Sequence, residues 1–485
     1  MLYYQDFKRF EGYFLNEEIA QDLAINNFEY EKKYVQTKTA EKTAFLSISK
    51  DRRSEINGRL VNWPDGNEIA KQYHENLQLI ITEEPIQELK DKVPQYIVEN
   101  TRSFMLSLGR YLCENRASKV IATTGSVGKS STRLMFDHVF SEEAVLSNRG
   151  NHNTRFAIPL YLTKMAKDPT IVNLEVSLNA LNNRHPGPLT QIIQPDIAIL
   201  TSVGAAHLAT FTSLEHLAEY KARIFLGLKK NGLAIINRDI PKKSFTIAYQ
   251  QAKKQTDNIK TYSMETSLAD ISLVCCKELK HTTEVTINFM NNNYTYFLGT
   301  ASKGMIENSL AVILAAHEMG YSIEAIIKKF ADFKSLPKVM ERIEYSSDKG
   351  QLTVIDDTHN ASIPAMINAI QSFKEKSIYY NGKKLLVLGQ VADLGKEAGR
   401  LHQSLIPEIE NANADILIGY GDLMKPVVQA ISIKSIWYES LPNLLQGILQ
   451  ELDDQSLILL KGSISHSDFF KISSLLSKRL TRIHD

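Results

Sequence analysis

From about residue 106 onward, short apolar runs alternate with amphipathic stretches at helical spacing, and this rhythm constrains the fold more than any other feature of the chain. KVIATTG (119–125) leads into a helix that starts at Lys129, while TIVNLEVS (170–177), DIAILTSV (196–203) and LAIIN (233–237) read as strands. A helix over 213–228 (SLEHLAEYKARIFLGL) separates the last two. Strands buried on both faces are apolar throughout, and parallel strands need helical crossovers, so the rhythm predicts a mostly parallel sheet with helices on both faces. Residues 270–300 switch to period two, with MNNNY (290–294) as a turn, which is the pattern of β-hairpins. After about 337 the strand–helix rhythm resumes through LTVIDD (352–357), a helix near 363–374, KLLVLG (384–389), ADILIGYG (414–421) and SLILLKG (456–462). Residues 1 to about 105 mix strand candidates, TAFLSIS (43–49) and LQLIIT (77–82), with polar, helix-like stretches. An α/β chain of three domains follows: 1–105 a small α/β unit, 106–335 a central unit, and 336–485 a Rossmann-like unit.

Charge and cysteine content narrow the function. Lys+Arg 56 against Asp+Glu 55 leaves the chain near neutral, which argues against nucleic acid or an anionic membrane as its main partner. Cys113, Cys275 and Cys276 are too few and too badly spaced for a disulfide framework or a zinc site, so a reducing compartment is expected. The N-terminal MLYYQDFKRFEGYF lacks the basic-then-apolar pattern of a signal peptide, and no uninterrupted apolar stretch approaches the ~18–20 residues of a membrane span. A cytoplasmic monomer acting on small molecules is the expectation.

Residues 122–133, ATTGSVGKSSTR, sit between the first strand of the central unit and its helix. In that context the backbone N–H groups of the helix N-terminus face an anion, Lys129 can reach the β/γ-phosphates of a nucleotide, and the Ser130 hydroxyl can bind Mg²⁺. The strict pattern GxxxxGK[ST] is not met, because Thr123 occupies its first glycine. Taken alone, a glycine turn into a surface helix with an ordinary lysine is the competing reading.

Downstream segments then fall into a recognisable order: GNHNTRFAIPL (150–160), NLEVS (173–177), QPDIAILTSVGAAHLATF (194–211), EYKARIF (219–225) and INRD (236–239). IENSLAVILAA (306–316), LPKVMERIE (336–344), IDDTHNASIPAM (355–366), LVLGQVADLG (386–395) and LLKGS (459–463) complete the series. As an ensemble over roughly residues 105–470 the chain resembles the Mur ligase family, ATP-dependent enzymes that form amide bonds in peptidoglycan precursors. It looks most like the branch that adds D-alanyl-D-alanine. That family's loop, TGxxGKT, never uses the glycine missing here.

The resemblance implies an ADP-forming acid–amino-acid ligase. ATP converts a carboxylate to an acyl phosphate, an amine attacks, and phosphate leaves, so the site must hold crowded anions with metal ions and cations rather than a protein nucleophile. It implies that Gly125, Ser126, Gly128, Lys129, Ser130 and Ser131 hold ATP. It further implies that Ser130, Glu175, His207 and Lys221 serve two Mg²⁺ ions, with Lys221 carbamylated by CO₂. Asn308 would face adenine, Asp356 the ribose hydroxyls, Arg342 the γ-phosphate once the third domain swings in, and Asn360 the nucleotide. Asn151, Asn153, His359 and Lys461 would bind substrate, with Lys461 receiving a carboxylate of the acceptor. The implied substrates are UDP-MurNAc-tripeptide and D-Ala-D-Ala.

Several positions depart from the family pattern. Val127 stands where Asn is common, Ser130-Ser131 replace threonines, Ser202 and Ala205 break the NVGPAH form, and His359 stands where the branch has Tyr. ISHSDFF follows KGS without a basic, Met-rich run, and Thr37-Lys38 is the nearest counterpart of a Ser-Arg pair that reads the UDP end. Two other readings therefore stay open here: a same-fold ligase with a non-UDP substrate, in specialised metabolism or polyglutamate-type extension, and a catalytically inactive nucleotide-binding scaffold.

Overall fold

The computed structural model describes residues 1–57, 62–204, 211–299, 303–334 and 337–483. The N-terminal segment builds a five-stranded sheet from β1 (Tyr13–Phe14), β2 (Asn27–Glu29), β3 (Thr43–Ser47), β4 (Leu79–Thr82) and β5 (Gln95–Ile97), in the order β1-β5-β4-β3-β2. β2 to β5 run parallel and β1 pairs antiparallel with β5. Every residue of β3 is buried, because Ala44 and Leu46 pack into one core while Phe45 packs into a second on the other face.

Helix α1 (Thr101–Glu114), capped where the Asn100 side chain accepts from the Ser103 N–H, straps this sheet to the next unit. Phe104, Met105 and Leu108 belong to the N-terminal core and Cys113 to the central one.

The central sheet has nine strands: β6 (Lys119–Thr124), β7 (Val145–Ser147), β8 (Ile171–Glu175), β9 (Ile197–Leu200), β10 (Leu233–Asn237), β11 (Ile259–Ser263), β12 (Ile271–Glu278), β13 (Thr283–Phe289) and β14 (Asn292–Leu298). Their order is β14-β13-β12-β11-β10-β9-β6-β8-β7, parallel from β7 to β12 and antiparallel beyond. Met290 and Asn291, both at positive φ, make the tight turn between β13 and β14, the geometry whose twist suits a hairpin. Helices α2 (Lys129–Val139), α3 (Leu214–Lys221) and α4 (Lys303–Glu318) cover the faces, with a separate apolar core on each side. The helix expected over 213–228 is α-helical only to Lys221 and tightens into a 3₁₀ segment over Ala222–Gly227. Gly227 there lies directly against the Thr190 backbone, where a Cβ would not fit.

The C-terminal sheet comprises β15 (Glu341–Ser347), β16 (Gly350–Asp357), β17 (Lys384–Gly389), β18 (Ile416–Tyr420), β19 (Lys434–Tyr438), β20 (Ser456–Lys461) and β21 (Thr481–Arg482), in the order β19-β18-β17-β20-β16-β15-β21. The five strands from β19 to β16 are parallel, and β15 and then β21 extend the sheet antiparallel at the other end. Helix α5 (Ile363–Ser377) packs on one face.

The tip of the β12–β13 hairpin reaches this third unit. Glu278 pairs with Lys376 at 3.0 Å with both side chains buried, the Tyr379 hydroxyl donates to the Glu278 carbonyl, and Arg342 Nη1 donates to the His281 carbonyl at 3.4 Å. Among the described residues, no helix is long and apolar enough to cross a membrane.

Candidate active site

A cleft of about 480 Å³ opens where the carboxyl ends of the central strands face those of the C-terminal strands. Open α/β sheets place ligands at such strand ends. Its floor is the loop 125–128 between β6 and α2. Gly128 caps α2 at φ +87°, and a Cβ there would come within 2.5 Å of Asn308 Oδ1. Gly125 is equally constrained, since its Cβ would collide with the Thr201 hydroxyl. Gly128 is therefore required by backbone conformation and close approach, and Gly125 by close approach.

Side chains from the strand end at β9 grip this loop. The Val127 N–H donates to Ser202 Oγ at 2.8 Å, and its carbonyl accepts from Thr201 Oγ1 at 2.6 Å. The Ser126 N–H donates to the Ser202 carbonyl at 3.0 Å, and the Gly204 N–H donates to Ser126 Oγ at 3.0 Å. Two departures from the family pattern, Val127 and Ser202, are thus in contact. Because Ser202 reads the backbone of residue 127, the side chain there is free to be apolar.

Lys129 Nζ donates to the Gly125 carbonyl at 2.9 Å and the Ser126 carbonyl at 3.3 Å, folded back over the loop it follows. Burial holds its pKa below the ordinary lysine range, with Glu175 opposing the shift. Ser130 Oγ donates to Glu175 Oε2 at 2.7 Å and Asn153 Nδ2 donates to Glu175 Oε1 at 2.6 Å, so α2, β8 and the 150–154 segment converge on one buried carboxylate. Asn148 exchanges hydrogen bonds with the Glu175 backbone, which fixes the strand end. Lys221 is 1% exposed, lines the cleft, and has no hydrogen-bonding or ionic partner among the described residues. Its pKa is driven well below the usual lysine range by burial, with a contribution from the Lys129 cation.

From the C-terminal sheet come Asp357 and Lys461, side by side on β16 and β20 and paired at 2.6 Å in near-complete burial. Lys461 also donates to the Asn360 carbonyl at 2.7 Å, and the Met340 N–H donates to Asp357 Oδ1 at 3.2 Å. His359 and Asn360 line the cleft just beyond β16.

Of the expected residues, Gly125, Ser126, Gly128, Lys129, Ser130, Ser131, Asn151, Asn153, Glu175, Lys221, Asn308, His359, Asn360 and Lys461 line this one cleft. His207 lies outside the described residues. Arg342 and Asp356 are not brought to it. The Arg342 guanidinium donates to Glu344 at 2.9 Å and turns toward the hairpin tip. Asp356 is fully buried, accepting from the Thr358 N–H and hydroxyl, and it is the next residue, Asp357, that faces the cleft. Strand side chains alternate between faces, so adjacent aspartates cannot share one.

Sequence reasoning passed over Thr201 and Ser202 as loop supports, Asp357, and Arg155. The Arg155 guanidinium donates to the carbonyls of Asn182 and Gly187 at 2.6 Å and of His185 at 3.2 Å, pinning the loop that follows Ser177 and Leu178 at the cleft edge. An arginine in an otherwise apolar run, TRFAIPL, was the available signal. Glu307, beside Asn308 on α4, also lines the cleft, and burial pushes its pKa up to about 7, with Asp239 and Glu265 adding to the shift.

Comparison with known proteins matches residues 123–316 to the Mur ligase middle domain and residues 341–464 to the Mur ligase glutamate ligase domain. The chain is 28% identical over 385 residues to the UDP-N-acetylmuramoyl-tripeptide–D-alanyl-D-alanine ligase of Rickettsia prowazekii, covering 78% of this chain and 82% of that one. It is 25% identical over 378 residues to the Escherichia coli protein of the same name, covering 77% and 80%. The fold is that of MurF from Acinetobacter baumannii, with TM-score 0.76, 22% identity and 96% of each chain covered. A MurF from Thermotoga maritima solved with ADP gives TM-score 0.73 at 22% identity, covering 94% of this chain and 97% of that one. The two domain matches, the full-length fold and the order of motifs agree: the chain belongs to the Mur ligase family.

Proposed function

We propose that this protein is an ATP-dependent, ADP-forming ligase that joins the amine of D-alanyl-D-alanine to the terminal carboxylate of UDP-N-acetylmuramoyl-tripeptide, as a cytoplasmic monomer. The observation that carries this reading is the meeting, in one cleft, of a glycine-gated phosphate loop with the Ser130–Glu175–Asn153 cluster on one wall and the Asp357–Lys461 pair on the other. The relatives of that name supply the substrates. We place the limits of the three units near residues 105 and 335.

The Gly128 N–H and the N-terminus of α2 bind the phosphates, and Lys129 turns from its carbonyl partners toward the β/γ oxygens. Ser130 and Glu175 present hard oxygen donors at the strand ends, the type Mg²⁺ requires, and these residues would hold it. Bound there, Mg²⁺ neutralises charge on the phosphates being transferred. Lys221 fits carbamylation: CO₂ adds only to an uncharged amine, and burial, with the Lys129 cation nearby, shifts this one toward its uncharged form. The product anion would complement Lys129. Across the cleft Lys461, oriented by Asp357 and the Asn360 carbonyl, receives the acceptor's carboxylate and points its amine toward the acyl carbon.

ADP release assayed over a panel of carboxylate and amine pairs tests the reading. Turnover is expected with UDP-MurNAc-tripeptide plus D-Ala-D-Ala. No ADP from that pair alongside turnover of another pair would replace these substrates, and no ADP from any pair would remove the ligase assignment.

A further inference from the structure

Glu307 lines the cleft, and the ligase chemistry leaves this carboxylate without a task. It sits on the first turns of α4, immediately before Asn308, and Asn308 abuts Gly128 of the phosphate loop. Among the described residues its hydrogen-bond partner is Asn237, at the end of β10, whose Nδ2 donates to Glu307 Oε1 at 2.7 Å. The orientation of that amide is pinned. Asn237 Nδ2 also donates to the Thr201 carbonyl at 2.8 Å, and Asn237 Oδ1 accepts the Asp239 N–H at 2.9 Å. Glu307 can meet Asn237 only as an acceptor, through Oε1, which leaves Oε2 for the cleft.

The sheet order says what part of a nucleotide lies there. The reacting end of the cleft is marked by Glu175, at the end of β8, whereas Asn237 ends β10, with β6 and β9 between them. Three interstrand steps separate them, about 14 Å at ~4.8 Å per step. The phosphate loop follows β6, so a nucleotide with its terminal phosphate beside Ser130 and Glu175 runs away from the reaction toward Glu307. Met305, two residues before Glu307 on α4, adds an apolar side chain to the cleft lining, as do Val339 and Met340. A mostly apolar slot with one fixed polar group is what orients a flat heterocycle.

We propose that Glu307 reads position 6 of the purine: its free oxygen accepts a hydrogen bond from an exocyclic amine and so selects adenine nucleotides over 6-oxo purines. The assignment rests on the ATP-dependent reading above and adds the residue that sets the choice of nucleotide. Once Glu307 is ionised, above about pH 7, hypoxanthine or guanine would bring a carbonyl oxygen against the carboxylate, leaving two acceptors face to face in a largely buried setting, a mismatch that polar sites reject strongly, so the comparison below is made at about pH 8.5.

Glu307→Gln gives a sharp test, because the pinned Asn237 amide keeps the glutamine oxygen on its own side and turns the NH₂ into the cleft. That group repels a 6-amino substituent and complements a 6-oxo one. Calorimetric dissociation constants for ATP and ITP are to be compared in the wild type and in E307Q. The wild type is expected to favour ATP by about a hundredfold and E307Q to lower that ratio by about tenfold or more. A purely structural role would weaken both nucleotides together and keep the ratio, which overturns the proposal, as does a wild type that binds both equally. Where E307Q is not recovered folded, E307D, which retracts the carboxylate by one methylene, is expected to lower the ratio too, and an unchanged ratio there also overturns it. Selective ATP binding without ADP release from any substrate pair would count against the ligase function and leave base reading in place, whereas no nucleotide binding at all removes both.

Discussion

In the central sheet the strand end that carries the phosphate loop is closed by side chains gripping backbone, with Thr201 and Ser202 holding Val127. In the C-terminal sheet the strand ends that face it are joined by a buried ion pair, Asp357 with Lys461. Both sheets are parallel at heart and covered on both faces, and both deliver their polar residues at carboxyl ends. One keeps its lysine on carbonyls of its own loop, from which an incoming anion can draw it, while the other spends its charges on each other and presents a preset cation. The shared architecture does not carry the division of labour; a handful of loop and strand-end residues does.

Lys129→Ala should separate the two regions most strongly. Loss of the cation from the phosphate side is expected to lower ADP release about 10³-fold while leaving the thermal melt nearly unchanged, because Lys129 touches only carbonyls of its own loop. Retained activity, or a large loss of stability, would blur the contrast. Lys461→Met should do the reverse in stability: it strands the Asp357 carboxylate in the interior, and breaking such a pair costs about 3 kcal/mol in a denaturant melt. A cost well under 1 kcal/mol would mean that Asp357 is not held as a buried charge.

The smallest effect is electrostatic and belongs to the central cleft alone. Glu307 is raised from about 4.5 to about 7, so the folded state holds its proton more tightly than the unfolded chain. Its contribution to stability is complete below the unfolded value and is lost as pH rises through the folded one. Between about pH 4.5 and 7 the wild type should therefore lose stability relative to E307Q, which does not titrate. Parallel stability curves for the two proteins would contradict the shift.

Local patterning carried β6, β8, β9 and β10 in the central sheet and β16, β17, β18 and β20 in the C-terminal one, because fully buried parallel strands are written as unbroken apolar runs, and it carried the β12–β14 meander as an alternation; β7, β11, β15 and β21 went unread. β19 was harder to see: it begins at an exposed lysine on an edge and lacks a continuous apolar run. The loop itself was legible as TGSVGKS, yet its supports were not, since Val127 and Ser202 are 75 residues apart and nothing local announces that they touch. Asp356 and Asp357 show a second limit. Both positions of a doubly buried strand are apolar or paired, so period two leaves no mark by which to say which aspartate faces outward. Glu307 was hidden for a third reason, because a single glutamate on a helix takes its meaning from Asn237, which folding brings beside it.

The contacts at the tip of the β12–β13 hairpin have a mechanical consequence. The third unit is attached to the second by the covalent segment leading into β15 and, separately, by Glu278 with Lys376 and Tyr379. A body fixed at two points keeps one easy rotation, about the line through them. Were the third unit to swing about that line, the hairpin would act as a second pin and the swing would carry Asp357 and Lys461 relative to the phosphate loop.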